Sequence, residues 1–185
     1  MPDRLYFTDS DEANELIARD PLALLIGFAL DQQVPVQTAF SGPLKLQQRL
    51  GRLDAEEIAG LEPERLDAVF REKPAIHRFP GTMATRVQEL CRAVVSEYSG
   101  DASRVWTEAK DAEELRRRIG GLPGYGEMKI IALGSVLAKR FGVEAAQGLV
   151  PSHPTLGDVD SREALERYQA HKRAYKASRR AQQPG

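Results

Sequence analysis

Cysteine is nearly absent: Cys91 is the single one in 185 residues. No disulfide can form within the chain, and neither a four-cysteine zinc site nor a cysteine-held iron–sulfur cluster can be built from it. His77, His153 and His171 show no ligand spacing with Cys91 or one another, so neither metal nor cofactor is expected. Long apolar runs are also missing. The longest, Pro21 to Leu30 (PLALLIGFAL), is ten residues, half of the roughly 20 that a membrane helix needs. The opening MPDRLYFTDSDE lacks the basic-then-apolar order of a signal peptide. The expected setting is therefore the reducing cytoplasm, without a membrane. Neither charge dominates: 26 Lys and Arg face 27 Asp and Glu, for a net charge of −1. That balance argues against a strongly basic nucleic-acid binder, although distribution matters more than the sum. Strand alternation, internal repeats and low-complexity tracts are absent as well.

What is present suits a globular chain: 42% hydrophobic and 29% charged residues, at a length that buries roughly 70% of the unfolded surface. The apolar period is helical nearly throughout, and the expected fold class is all-α. Asp9 or Ser10 caps a short helix through Ala18. Asp20-Pro21 reads as a cap with proline at the first helical position, opening a buried helix to about Gln32. A further helix carries Gln37 to Leu50, with a weak spot at Gly42-Pro43. Short helices follow at 53–58 and 62–70, then a loop over 73–81. Thr82 to Tyr98 forms an amphipathic helix with Val87, Leu90, Cys91, Val94 and Val95 in one stripe. Helices at 111–119 and 127–141 flank a glycine-rich turn. Residues 142–161 read as irregular, and 161–180 as a polar helix. One helical domain is expected over 1–160, with the hairpin at 112–141. A charged, basic C-terminal helix or tail follows over 161–185, where seven Lys and Arg from Arg162 onward face two Glu.

The segment Leu115 to Leu133 (LRRRIGGLPGYGEMKIIAL) is the most informative. A helix ends at Gly120-Gly121, where glycine readily takes a left-handed cap, and Leu122 packs back into the core. Pro123-Gly124-Tyr125-Gly126 makes a tight turn and a second helix begins at once. The glycines let the backbone lie close to another surface, with free N–H groups pointing outward to bind an anion such as phosphate. Lys129 in the first turn can add a charged contact. The bland alternative is an αα-hairpin serving only as a corner.

The string LPGYG before an apolar helix resembles the helix-hairpin-helix motif that grips the DNA backbone in DNA glycosylases. Leu25 to Ala39 (LIGFALDQQVPVQTA) resembles the glycosylase segment in which an apolar helix runs into a Gln-bearing turn. Phe79 to Val95 (FPGTMATRVQELCRAVV) resembles the helix that follows a glycine-bearing turn. Together these identify a divergent relative of the helix-hairpin-helix, Gly-Pro-Asp superfamily of base-excision DNA glycosylases, which includes endonuclease III and 3-methyladenine glycosylases. The resemblance implies binding of duplex DNA without sequence preference, through Leu122, Pro123, Gly124, Tyr125, Gly126, Gln32 and Gln33, with Gln32 and Gln33 filling the gap left by a flipped nucleotide. It implies cleavage of the N-glycosidic bond by a catalytic aspartate, and in some members a lysine that attacks the sugar.

Both catalytic positions depart from the pattern. The family lysine sits two residues after the last hairpin glycine, where this chain has Met128; Lys129 comes one residue later, about 100° around a helix. Lys129 is thus either a nucleophile in shifted register or a phosphate-contacting or solvated lysine. The family aspartate lies beyond the hairpin in a Val-Pro or Val-Asp context. The counterpart here is Leu149-Val-Pro-Ser-His153, with His153 in the expected place. Asp158 and Asp160 follow. Asp160, in Val-Asp-Ser, is the leading catalytic carboxylate, unless it only caps the last helix with Glu163. The expectation is a DNA glycosylase using Asp160 and secondarily Lys129, with Asp158 and His153 as alternatives. A non-catalytic DNA or damage-binding protein on the same scaffold is the competing reading.

Overall fold

The computed structural model describes residues 2–183. Ten α-helices and two short 3₁₀ segments form the described residues, and no strand occurs among them. Helix α1 (Asp11–Arg19) is capped by Ser10, whose hydroxyl accepts from the Ala13 N–H at 3.1 Å. Helix α2 (Pro21–Leu30) starts as the sequence predicts: the Asp20 carboxylate accepts from Leu22 N–H at 2.9 Å, and Pro21 occupies the first helical position. Every residue of α2 after Pro21 is buried, which is why its composition is apolar on all sides. Each of its leucines, Ile26 and Phe28 contributes about 1.5–3 kcal/mol by leaving water. Around it, Phe40 meets Phe28 and Phe7 edge-on, with ring centres 5.0 and 4.9 Å apart.

Helix α3 (Val36–Leu50) passes unbroken through Gly42-Pro43. The expected weak spot is instead a packing device. A side chain at position 42 would sit 2.4 Å from Leu30 Cδ1, so glycine there lets α3 lie against α2, and that contact offsets the backbone hydrogen bond lost at Pro43. Helices α4 (Ala55–Gly60) and α5 (Pro63–Arg71) pack on α6 (Pro80–Tyr98). Proline at the first position starts α6 two residues before the predicted Thr82. Cys91 lies in its buried stripe, its thiol pushed up to about 12 by burial, so it serves as a small apolar core residue.

A single turn, α7 (Arg104–Thr107), leads into α8 (Ala112–Gly120) and α9 (Glu127–Lys139), the two arms of the hairpin. Helix α9 rests on the 3₁₀ segments Glu144–Leu149 and Leu156–Asp158. Residues 142–161, read as irregular, thus fold as two short turns that cover α9. Helix α10 (Arg162–Gln182) is capped by Ser161, whose hydroxyl accepts from the Ala164 N–H at 3.0 Å. Ser161, not Asp160, is therefore the capping residue. Beyond Leu165 the helix stays attached through Tyr168, packed against the core, and through a reciprocal amide pair between Gln37 and Gln169 at 2.7 and 3.0 Å; from Arg173 on it is exposed. Trp106, Phe28 and Phe40 all belong to the core.

Candidate functional site

The hairpin turn forms for reasons visible in four residues. Tyr125 N–H returns to the Leu122 carbonyl at 3.1 Å, with Pro123 and Gly124 between them and Gly124 at φ +80°. Proline followed by a positive-φ glycine is the signature of a type II turn. The left-handed residue is thus Gly124. Gly121, where a left-handed cap was expected, has φ −78° and continues the right-handed path. A side chain at 124 would also sit 2.8 Å from Arg86 Cδ, because Arg86 of α6 lies across the turn.

Gly126 caps α9 at φ −90°, with nothing within 4 Å of where a side chain would project. No side chain caps this helix, so its first N–H groups are free toward solvent. Nothing inside the protein requires glycine here, and the bare backbone leaves room for a close external contact. Glu127, acidic at this same end, is held by Arg116 at 2.6 Å. Met128 is 82% exposed.

The predicted hairpin contacts divide by burial. Pro123, Gly124 and Gly126 reach the surface. Leu122 and Tyr125 are only 2% and 5% exposed. The phenol of Tyr125 is not on the surface to meet a sugar-phosphate; its hydroxyl donates to the Leu25 carbonyl and ties the hairpin to α2. Position 125 holds the turn in place.

Lys129 faces about 100° around the helix from Met128. Its amine donates to the Ala29 carbonyl at 3.2 Å, in the last turn of α2. Burial lowers its pKa to about 8, countered by Asp31 and reinforced by Arg86. The chain around Asp31 is tightly folded. Gln32 N–H bonds the Leu30 carbonyl at 2.8 Å across Asp31, which has φ −77° and ψ 67°, an inverse γ-turn. Gln33 follows at φ +57°, a conformation that costs a non-glycine residue about 1–2 kcal/mol.

His77, 2% exposed, locks this turn. Its Nδ1 accepts from the Phe79 N–H at 2.9 Å, so Nε2 carries the proton and donates to Leu30 O at 3.0 Å and Gln32 O at 3.1 Å. The Gln32 amide orientation that satisfies its neighbours has its oxygen accepting from Arg86 Nη1 at 2.6 Å and Lys129 Nζ at 2.9 Å. On the other side of the turn Gln32, Gln33, Phe79, Thr82, Met83 and Arg86 line an open hollow of about 260 Å³. Phe79, 41% exposed, is an apolar surface at its rim. Of the two glutamines singled out in the sequence, Gln32 contacts Lys129, and both line the hollow.

The other predicted catalytic residues, Asp158, His153 and Asp160, belong to the segment between α9 and α10. Asp158 accepts from Thr155 N–H at 2.9 Å to close a capping box, and it pairs with Lys139. Lys139 is ten residues past Lys129 on α9, about 15 Å along the helix axis. Asp158 is thereby committed to structure at the far end of α9. His153 and Asp160 are exposed.

Several residues around the turn were not singled out in the sequence: His77, Tyr168, Lys172 and Lys176 lie outside the matched segments, while Asp31 and Arg86 lie within them. One clue to Asp31 exists. An acidic residue directly after an apolar helix opposes the negative end of the helix dipole, and such local conflicts mark functional sites.

An all-helical chain in which a glycine hairpin is seated against the end of a buried helix, with a lysine between them, belongs to the class of hairpin-bearing DNA repair proteins. The family model of the HhH-GPD superfamily of base excision DNA repair proteins matches residues 26–183, and the chain belongs to that superfamily. DNA binding follows from that membership. No curated protein and no solved structure matches the chain. No described helix is long and apolar enough to cross a membrane.

Proposed function

We propose that this protein is a DNA N-glycosylase that flips a damaged nucleotide out of duplex DNA and cleaves its N-glycosidic bond. The observation that carries this reading is Lys129, a hairpin-helix lysine turned inward onto the Gln32 turn, with a pKa near 8. At pH 7 about a tenth of such an amine is neutral, against well under a thousandth for a solvated lysine. That makes Lys129 the hairpin residue fitted to attack a sugar, despite its shift by one position. Gln32 and Gln33 stand where they can fill the space of the extruded nucleotide. The hairpin backbone at Gly124 and Gly126 holds phosphate through N–H groups, a contact blind to sequence. No cofactor enters this reading.

A second reading, a non-catalytic damage-binding protein, is favoured by one observation. The segment that should bear the family aspartate has His153 in the expected place and an Asp158 already engaged in a cap, which leaves only the exposed Asp160, just before α10, as a free carboxylate there. A panel of duplexes carrying uracil, 8-oxoguanine or alkylated purines separates the two. Each product is treated with alkali or trapped with borohydride. Base release is the expected result, with a trapped adduct if Lys129 attacks. Binding to damaged duplexes without release of any base would instead support the second reading.

A further inference from the structure

We propose that Asp31 is the catalytic carboxylate of this protein, an inference that rests on the glycosylase reading above. It sits at the end of α2, in the inverse γ-turn whose next residue accepts from Lys129 and Arg86. The charges that act on its carboxylate are Lys129 of α9 and Lys172 and Lys176 of α10, with Tyr168 of α10 also close by, while Arg86 of α6 and His77 of the loop before α6 hold the turn itself through Gln32 and Leu30.

The local cost of this arrangement has no structural return. Asp31 is half-buried at the negative end of a helix, where a carboxylate is disfavoured. Among the described residues no hydrogen bond holds its oxygens; lysine charges at a distance favour its ionised form. Burial wins over Lys172, Lys129 and Lys176, and its pKa stands above the usual range. Asp20 and Asp158, by contrast, each accept backbone N–H groups that explain their presence. The turn bearing Asp31 is meanwhile fixed by the two His77 bonds and carries the positive φ of Gln33. A rigid, strained turn presenting an unbonded carboxylate is how a reacting group is held ready.

The chemistry balances without any further reagent. The bond from sugar C1′ to the base nitrogen breaks and its electron pair leaves with the base. Positive charge grows on the sugar, and the carboxylate of Asp31 stabilises it. Water adds its oxygen to C1′ and gives one proton to Asp31, which passes it to the departing base or to solvent. If the Lys129 amine attacks instead, Asp31 takes that proton.

The test is single-turnover base release by the wild type, Asp31→Asn and Asp31→Gly, with affinity for duplex carrying a non-cleavable abasic analogue and thermal unfolding measured on each. The expected result is a fall of about 10²–10⁴-fold in rate for Asp31→Asn, duplex affinity unchanged or tighter, and unfolding temperature not lowered. Added formate should restore part of the rate to Asp31→Gly, which a structural role would not allow. Release by Asp31→Asn within threefold of wild type would overturn this proposal and leave the glycosylase reading standing. A wild type that releases no base would overturn both.

Discussion

The Lys129 amine lies 3.2 Å from the carbonyl of Ala29, a hundred residues earlier in the chain. This contact joins the hairpin to the turn that carries Asp31, Gln32 and Gln33, and it fixes what Lys129 can do. Its pKa near 8 sets a pH window. If the amine attacks, borohydride trapping should rise about tenfold per pH unit below pH 8 and level off above it. Arg86 lowers this pKa and Asp31 raises it. Arg86→Gln should therefore move the inflection upward and Asp31→Asn should move it downward. A trapping profile that is flat between pH 6 and 9 would remove Lys129 as the nucleophile.

His77 ties pH to the stability of the same turn. Burial lowers its pKa below the ordinary 6.5. The unfolded chain then binds more protons than the folded one just below pH 6.5, so stability is complete above that value and declines as pH falls through it. His77→Ala removes the bonds to Leu30 and Gln32 and should cost about 2–3 kcal/mol in urea unfolding at pH 7.5. It should also flatten the loss of stability between pH 6.5 and 5. An unchanged slope there would assign the acid sensitivity to other groups.

The helices that carry the site were legible because their signals are local. Asp20-Pro21 starts α2, the apolar period sets α6, and Leu-Pro-Gly-Tyr sets the hairpin turn. The family resemblance rested on these segments, and the match over 26–183 agrees with it. The candidate site was less legible, because it is made by contacts between distant segments. Nothing local to Lys129 says that its amine meets α2, or that His77 anchors residues 30 and 32. Asp158 looked free in the sequence because its partners, Thr155 and Lys139, are recognisable only once the 3₁₀ turn is folded on α9. Tyr125 misled for a similar reason: a tyrosine in a surface turn reads as exposed until the seat on Leu25 is known.

The two hairpin glycines should separate folding from binding. Gly124 needs its positive φ and the space beside Arg86, so Gly124→Ala should lower stability by about 1–2 kcal/mol and weaken DNA binding with it. Gly126 has ordinary φ and open space around it. Gly126→Ala should change stability by less than about 1 kcal/mol, yet weaken duplex affinity roughly 3- to 10-fold by standing between the α9 N-terminus and a phosphate. Equal affinity in Gly126→Ala and wild type, measured by fluorescence anisotropy, would place the phosphate elsewhere.

Helix α10 is the last candidate element of the binding surface. Ser161, Ala164, Leu165 and the Gln37–Gln169 pair hold its first half, while Arg173, Arg179 and Arg180 stand exposed beyond it. These three touch neither the hairpin nor the Asp31 turn, so their replacement by Gln should leave folding unaltered. If each meets one phosphate, the slope of log affinity against log salt should become shallower by about 0.9 per arginine removed. Base release at saturating enzyme should hold steady, because the proposed reacting groups are Asp31, in the turn after α2, and Lys129 on α9. A slope that does not change in the triple variant would make the far half of α10 a solvated helix and confine the DNA contact to the hairpin and the glutamine turn.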